Sequence, residues 1–269
     1  MADSPSLPSL KPNLTPGAQA VLSEAGVWRL EIPAGRRGAY RLAQIDDYGS
    51  LARAQYPWQP PLRLRLRARA SVTEIPGTWG FGLWNDPFGM GFLPGETAFH
   101  LPALPNAAWF FFASPQNYLS FRDDLPAQGA LAATFRSPHW STWQTMLSGL
   151  ALPLLLCRPG ARRVRRWLRR RIQQGAIRMK IDPTGWHAYQ IDWKADQVSF
   201  LVDEQVVLDT ATSPLAPLGL VIWVDNQYAA FTPEGRIAWG TLENILPAWV
   251  EIADVKVKSG SKHDSANHL

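Results

Sequence analysis

One stretch in the first third of the chain alternates strictly between apolar residues and arginine. The apolar positions are Leu62, Leu64, Leu66, Ala68 and Ala70, and the positions between them are Arg63, Arg65, Arg67 and Arg69. Successive side chains of a β-strand point to opposite faces, so this period of two predicts a strand with one buried face. We expect the arginine face to be solvated or to pair with acidic residues.

Further short apolar and aromatic runs follow, separated by turn signals rich in Gly and Pro. The predicted strands are Trp79–Asp86, Ala107–Ala113, Trp186–Trp193, Gln197–Asp203, Leu218–Gln227 and Trp249–Lys258. Many short strands with turns between them predict an all-β sandwich or barrel. We expect one domain over residues 1–269, with a polar N-terminal arm at 1–20 and a flexible tail at 259–269.

Residues 140–175 break the strand pattern and predict a helical insertion. The first part, Met146–Leu156, is apolar but too short to span a membrane. The second part, Arg158–Arg171, holds eight Arg and no acid, and removing eight positive charges from the formal net charge of +5 leaves −3. The rest of the chain is therefore mildly acidic, and we do not expect nucleic acid as a partner.

Three roles are open for this insertion: a contact with an anionic membrane surface, a contact with nucleic acid or an acidic partner, or a lid on its own domain. We favour the membrane surface, because an apolar run and clustered cations are both satisfied there. The predicted contact residues are Arg162, Arg163, Arg165, Arg166, Trp167, Arg169 and Arg170.

The N-terminal segment and the cysteine content bear on the cellular compartment of the protein. Cys157 is the only cysteine, so no intrachain disulfide can form. The segment Met1–Pro16 is polar and has neither the basic start nor the apolar stretch of a secretory signal. We expect a cytoplasmic protein, peripheral to a membrane if the insertion binds lipid, with a mature form cut from a longer precursor as the alternative.

Three segments carry a resemblance to a known family. Residues 186–207 read Trp-His-Ala-Tyr-Gln-Ile-Asp-Trp, then a turn, then Phe-Leu-Val-Asp-Glu, residues 247–257 end in Ala-Asp-Val-Lys-Val, and residues 77–84 read Gly-Thr-Trp-Gly-Phe-Gly-Leu-Trp. Taken in their order along the chain, these segments resemble the family-16 glycoside hydrolases of the concanavalin A-like superfamily. The resemblance implies a jelly-roll sandwich of two antiparallel sheets, one of them concave and holding the ligand.

The catalytic motif of that family is missing from the sequence. Retaining glycosidases need two carboxylates about 5 Å apart, and family-16 enzymes place them on one strand as Glu-x-Asp-x-Glu. No such pattern occurs here, and the strand in the corresponding place, Ala107–Ala113, is aromatic instead. We therefore do not expect family-16 hydrolysis.

Two of the predicted strands carry the short pattern Trp-x-Asp: Trp84 with Asp86, and Trp223 with Asp225. An acid beside a ring can hydrogen-bond a ligand, or transfer a proton once apolar neighbours raise its pKa. The competing interpretation is that the acids cap turns and the rings fill the core. Asp86 and Asp225 are our candidate catalytic residues. The candidate ligand-binding residues are Trp84, Trp109, Phe111, Trp223, Asn226, Gln227 and His139.

Two functions stay open at this point, and the sequence does not decide whether the protein is an enzyme. The first is binding of a glycan or a lipid-like ligand in an aromatic concave groove. The second is acid/base chemistry, such as isomerisation or cyclisation, on an apolar and isoprenoid-like substrate at a membrane surface. The His and Cys residues lack the spacing of a transition-metal site, so we expect no cofactor. The resemblance allows a structural calcium ion at Asp254.

Overall fold

The computed structural model describes residues 9–87, 101–139 and 149–260. Two seven-stranded antiparallel sheets form the body, which we call the front and back sheets. In spatial order, the front sheet consists of β1 (Lys11–Leu14), β4 (Leu42–Asp46), β13 (Gly219–Asp225), β6 (Thr78–Trp84), β7 (Ala107–Ala113), β8 (Gly129–Arg136) and β9 (Gln173–Met179). The back sheet consists of β12 (Gln205–Thr210), β11 (Val198–Val202), β10 (His187–Trp193), β5 (Leu62–Ala70), β16 (Ala248–Ser259), β3 (Trp28–Ile32) and β2 (Gln19–Leu22).

The remaining elements lie outside the two large sheets. β14 (Gln227–Phe231) and β15 (Ile237–Thr241) form a separate hairpin, and helix α1 spans Arg158–Arg171. Two 3₁₀ helices span Arg53–Gln55 and Gly149–Leu156. The expected jelly-roll sandwich of two antiparallel sheets with a helical insertion is confirmed.

The strand β5 shows why these residues form a sandwich. Its apolar side chains are buried and its arginines point outward, as the period of two predicts. Arg63 pairs with Asp192 at 2.5 Å, and Arg69 pairs with Glu251 at 2.7 Å. The buried face packs against the front sheet in a core rich in aromatic residues. Its largest members are Trp79, Phe81, Phe110, Tyr189, Trp193 and Phe200.

Two expected boundaries differ from the structure. The prediction of a polar arm at 1–20 is wrong for residues 9–20, which the structure describes. There β1 pairs with β4 and β2 pairs with β3, as edge strands of the two sheets. The insertion ends earlier than residue 175, because Ile172 leaves the helical conformation and β9 pairs with β8. Residues 140–148 of the insertion and 261–269 of the expected tail lie outside the described residues.

Candidate functional site

The face of the front sheet that points away from the core carries a second aromatic cluster. Alternation along β6, β7 and β13 puts Trp84, Trp109, Phe111 and Trp223 on this outer face, so the structure brings these four predicted residues together. The rings of Trp84 and Trp223 are parallel, with centroids 6.4 Å apart and an interplanar angle of 7°. Trp109 contacts both, at 6.0 Å from Trp84 and 5.8 Å from Trp223.

Glycines in β6 allow the close approach of the neighbouring strand β7 and of one indole ring. A Cβ atom at Gly80 would lie nearest to the Phe110 carbonyl oxygen and 2.8 Å from Cη2 of Trp223, and one at Gly82 would lie nearest to the Ala108 carbonyl oxygen and 2.6 Å from Cβ of Trp109. Both distances are too short for any other residue without displacement of a neighbouring strand or ring. The Gly-x-Gly spacing in this strand therefore reflects the close approach of β7 at both positions and of the Trp223 ring at Gly80.

The cluster is filled by its own rings rather than open along its length. Phe111 and Trp223 are 5% and 8% exposed, whereas Trp84 and Trp109 are half-buried. Leu168 of helix α1 and Ile172 at its end pack beside Trp84 and Trp109 on the same face. Of these four rings, Trp84 and Trp109 are therefore the accessible ones.

Asp225 is buried at one end of this face. Its Oδ1 accepts hydrogen bonds from the Thr78 backbone N–H at 3.1 Å, the Thr78 hydroxyl at 2.9 Å and the Gln227 backbone N–H at 3.1 Å. Burial raises the pKa of the Asp225 carboxyl to about 7, although the hydrogen bonds from Thr78 and Tyr40 oppose the shift. The Thr78 hydroxyl in turn accepts a hydrogen bond from Trp223 Nε1 at 3.0 Å.

Asp86 lies at the opposite end of β6. The register pairs Asp225 with Thr78 and Gly219 with Trp84, and Asp86 follows Trp84. At ~3.3 Å per residue, the two ends of β6 are about 20 Å apart. The prediction that Asp86 and Asp225 act together in one site is therefore wrong. Asp86 also lies beyond the strand with a φ of 45°, so the period of two does not fix its face.

The acid that interacts with Asp86 is Asp46 rather than Asp225. Asp46 ends β4 on the outer face and is 4% exposed. Its carboxylate accepts hydrogen bonds from Gln44 Nε2 at 2.9 Å and from the backbone N–H groups of Tyr48 and Gly49. Burial raises the pKa of Asp46, and the charge of Asp86 adds to the shift. Sequence reasoning missed Asp46; the signal was an acid at the end of an apolar run, before Tyr48-Gly49.

The tyrosine that follows links this acid pair to the aromatic cluster. The Tyr48 ring lies 4.9 Å from that of Tyr56 and 6.1 Å from that of Trp84. Burial raises the pKa of Tyr48 well above its ordinary value, and the charges of Asp46 and Asp86 raise it further. The aromatic face therefore has a polar corner made of two carboxylates and a phenol.

Three predicted ligand residues are placed differently from the aromatic ones. Asn226 is fully buried, and its side chain forms hydrogen bonds with backbone groups of Ala39, Arg41 and Leu242. The prediction that Asn226 contacts a ligand is therefore wrong. Gln227 is half-buried beside Asp225. His139 is exposed and adjoins residues 140–148, which lie outside the described residues.

Helix α1 docks on the domain through an arginine. Arg165 is 3% exposed and donates hydrogen bonds to the carbonyl oxygens of Ser120 at 2.9 Å and Phe231 at 2.7 Å. It also pairs with Asp123 at 3.1 Å and lies over the Tyr118 ring. The prediction that Arg165 contacts a membrane or a partner is therefore wrong. The exposed residues among those predicted are Arg162, Arg163, Arg166, Trp167, Arg169 and Arg170.

Comparisons with known proteins concern the fold. No family model matches the chain, and no curated protein matches it. A β-glucanase of Bacillus licheniformis superposes with a TM-score of 0.49 at 8% identity, over 90% of this chain and 82% of that one. A pseudo-β-1,3-glucanase of Mycobacterium tuberculosis gives 0.49 at 11% identity, over 90% and 79%. A family-16 glycosyl hydrolase of Mycobacterium smegmatis gives 0.49 at 9% identity, over 89% and 78%. Shared topology at these values does not imply a shared activity.

The described residues contain neither a cluster of metal-ligating side chains nor a helix suited to crossing a membrane. Across 9–87, 101–139 and 149–260, no three His, Cys, Asp or Glu side chains are grouped so that they could hold a metal ion. Asp254 pairs with Arg67 at 3.7 Å, and a calcium ion at this residue stays a prediction. No helix in the same residues has the length and apolar character needed to cross a bilayer.

Proposed function

We propose that this protein binds an apolar, lipid-like ligand on the outer face of the front sheet. The observation that carries the proposal is the partly accessible pair Trp84 and Trp109 inside an otherwise apolar surround. That surround consists of Leu104, Phe121, Leu125, Phe135 and Leu168. A sugar needs hydrogen-bond partners for its hydroxyls, whereas an apolar chain is stabilised by contact with such a surface.

The polar corner supports an amphiphilic ligand in particular. Asp46 and Tyr48 are buried, whereas Asp86 is half-buried two residues after Trp84, so a ligand lying on the indoles would place a hydroxyl or a cationic group beside Asp86. A few polar groups at one end of an apolar surface are typical of sites that orient a small molecule. The proposed ligand is thus an apolar chain with one polar end.

Farnesol, an apolar isoprenoid alcohol, is a direct probe of this site. We expect it to change the tryptophan fluorescence of the full chain with a micromolar dissociation constant. Trp109→Leu removes the accessible indole but keeps an apolar side chain, so we expect at least about a tenfold weaker affinity with the fold retained. Fluorescence titration and circular dichroism measure both.

Trp239→Leu is the matched control, because Trp239 is 72% exposed on the separate hairpin. We expect this variant to bind farnesol as the wild type does. Laminaritetraose is the polar comparison ligand. Micromolar binding of laminaritetraose without binding of farnesol would contradict the proposal in favour of a glycan, and an equal loss of farnesol binding in both variants would exclude the site.

A second candidate function is acid/base chemistry on such a ligand. The observation that favours it is Asp46, whose buried carboxyl accepts a hydrogen bond from Gln44 and lies close enough to Tyr48 to raise its pKa. The Tyr48 ring in turn lies 6.1 Å from that of Trp84. A carboxyl with a raised pKa can donate a proton, and the faces of aromatic rings stabilise a developing cation. Mass spectrometry of farnesol after incubation separates the two functions, since binding alone returns it unchanged.

The exposed side of the insertion supports a membrane-surface role for the same protein. Leu154 is 47% exposed, Leu156 is 89% exposed and Trp167 is 41% exposed. Exposed arginines surround Trp167 on α1. Apolar side chains beside cations suit an anionic interface, where each arginine contributes about 1 kcal/mol. Because α1 also packs beside Trp84 and Trp109, a lipid-like ligand would arrive next to its site.

Vesicle flotation tests this role. We expect the full chain to bind vesicles of phosphatidylcholine with phosphatidylserine but not vesicles of phosphatidylcholine alone. The attraction is screened beyond a Debye length of about 8 Å at physiological salt, so the bound fraction should fall as salt rises. Replacing Arg163, Arg166 and Arg170 by glutamine should abolish binding, while Arg165 is kept so that α1 stays docked.

The control removes the same charge elsewhere, through Arg65→Gln, Lys256→Gln and Lys258→Gln on the back sheet. We expect this variant to float with anionic vesicles as the wild type does. Equal binding to neutral vesicles, or no binding to either kind, would refute the membrane role and leave α1 as a lid.

A further inference from the structure

The back sheet carries a second concentration of positive charge, on its outward face. Arg63, Arg65 and Arg67 point outward from β5, and Lys256 and Lys258 point outward from β16. The register sets Lys256 directly opposite Arg65 and Lys258 directly opposite Arg63. Directly opposite side chains lie about 5 Å apart at Cβ, and like charges at that distance destabilise a sheet.

A β-bulge creates this arrangement. Ala253 pairs with Arg67, but the register then shifts by one residue before Lys256 pairs with Arg65. Asp254 lies inside the bulge with a φ of 55°. Without the extra residue, Val255 rather than Lys256 would face Arg65. Bulges re-aim side chains in this way and are typical of functional positions.

The acids around these cations are too few to neutralise them, and two of the three form only long pairs. Asp192 holds Arg63 through two hydrogen bonds, at 2.5 and 3.1 Å. Arg65 meets the 81% exposed Glu204 at 3.6 Å, and Arg67 meets Asp254 at 3.7 Å. Such exposed, long pairs contribute little. Neither lysine forms an ion pair within the described part of the chain, so three acids for five cations leave two positive charges in surplus.

These side chains enclose a cleft rather than a flat surface. Its volume is about 410 Å³, and its lining residues are Arg63, Arg65, Leu66, Arg67, Ala188, Gln190, Asp254, Lys256 and Lys258. The small Ala188 and the uncharged Gln190 form part of its floor. This volume falls in the range of small-molecule sites. Arginine and lysine are the side chains that bind phosphate groups.

The position of the cleft identifies the kind of ligand. The cleft opens on the outside of the back sheet, whereas α1 packs on the outer face of the front sheet. A flat membrane cannot touch both faces of a sandwich at once, so a membrane bound by α1 leaves this cleft in solution. We propose that the cleft binds a soluble small molecule that carries two or more phosphate groups. The surplus of two charges and the cross-strand lysine–arginine pairs fit such a ligand.

Inorganic pyrophosphate is the simplest probe for this site. In calorimetric titration of the full chain we expect a sub-millimolar dissociation constant for pyrophosphate and weaker binding of orthophosphate. Lys256→Gln with Lys258→Gln removes both lysines from the cleft and should weaken pyrophosphate binding at least about tenfold, since hydrogen bonds to charged groups are strong. Both side chains are exposed, so the fold should be retained.

The charge-matched control is Arg163→Gln with Arg166→Gln on α1, which should leave pyrophosphate affinity within about twofold of wild type. Equal weakening in both double variants would overturn the site, because net charge alone would then explain the binding. Absence of pyrophosphate binding in the millimolar range would also overturn it. Tighter binding of a DNA duplex, lost with the two lysines, would overturn the small-molecule ligand in favour of nucleic acid.

Discussion

Replacement of Arg165 by alanine is expected to lower the free energy of unfolding by about 3 kcal/mol, through the loss of a buried cation and its partners. Arg165 is 3% exposed and donates hydrogen bonds to two backbone carbonyls, of Ser120 and Phe231. In the variant these acceptors lose their donor, and the ion pair of Arg165 with Asp123 is lost, while Arg169 of the same helix keeps its own pair with Asp123. Urea unfolding followed by circular dichroism measures the change.

The neighbouring residue supplies the control. Arg166 carries the same charge on the same helix but is exposed, so Arg166→Ala should change the free energy of unfolding by less than about 0.5 kcal/mol. Amide hydrogen exchange adds a local readout, since loss of docking should speed exchange in α1 in the Arg165 variant alone. Equal stability of the two variants would show that Arg165 does not anchor the helix.

The strands were predictable where alternation or aromatic runs were strong. Ala107–Ala113 was predicted with its observed bounds, and β5 was predicted with its faces assigned correctly. The edge strands near the N-terminus were not, because Lys11–Leu14 and Gln19–Leu22 are only four residues long and carry little periodic signal. Their strand conformation comes from pairing with β4 and β3, which is a tertiary effect.

The site was predictable in composition but not in geometry. Period two put Trp84, Trp109, Phe111 and Trp223 on one face, yet it could not show that the rings fill that face. Gly80 in β6 was the signal for this filling, because a side chain there would collide with the Trp223 ring. The separation of Asp86 from Asp225 depended on the register between β6 and β13, which hydrophobic patterning does not reveal.

The contacts of helix α1 were also only partly predictable from the sequence. Its basic composition led to the prediction that six of its arginines contact a membrane or a partner: Arg162, Arg163, Arg165, Arg166, Arg169 and Arg170. The packed positions are Ala161, Val164, Arg165, Leu168 and Ile172, so one arginine occupies the buried stripe. Burial of a cation is stabilised only where specific acceptors meet it, and those acceptors are backbone carbonyls far away in the sequence.

Asp225 should make the protein less stable as the pH rises from 5 to 8. Burial raises the pKa of its carboxyl from 3.8 to about 7 in the folded chain, so the folded state holds a proton that the unfolded state has released. The stabilisation is fully present below about pH 4 and is lost as the pH rises through about 7. Linkage gives a loss of about 2–3 kcal/mol between pH 5 and 8.

Asp225→Asn should remove this part of the pH dependence. The amide oxygen can still accept the hydrogen bonds from Thr78, so the variant should be more stable than wild type at pH 8. Asp47 shifts in the same direction, with its pKa raised by burial to about 6, and therefore only the difference between wild type and variant isolates Asp225. Asp196→Asn, at an exposed turn between β10 and β11, should leave the pH dependence unchanged.

The same titration should be visible in the aromatic cluster. Trp223 donates to the Thr78 hydroxyl, which donates to Asp225, and ionisation of the acid polarises this chain of hydrogen bonds. Tryptophan fluorescence should therefore change with a midpoint near pH 7 in the wild type and stay flat in Asp225→Asn. A wild-type signal that is constant from pH 5 to 8, with equal pH dependence of unfolding in both proteins, would mean that the buried carboxyl is already ionised at pH 5. Its hydrogen bonds would then outweigh its burial.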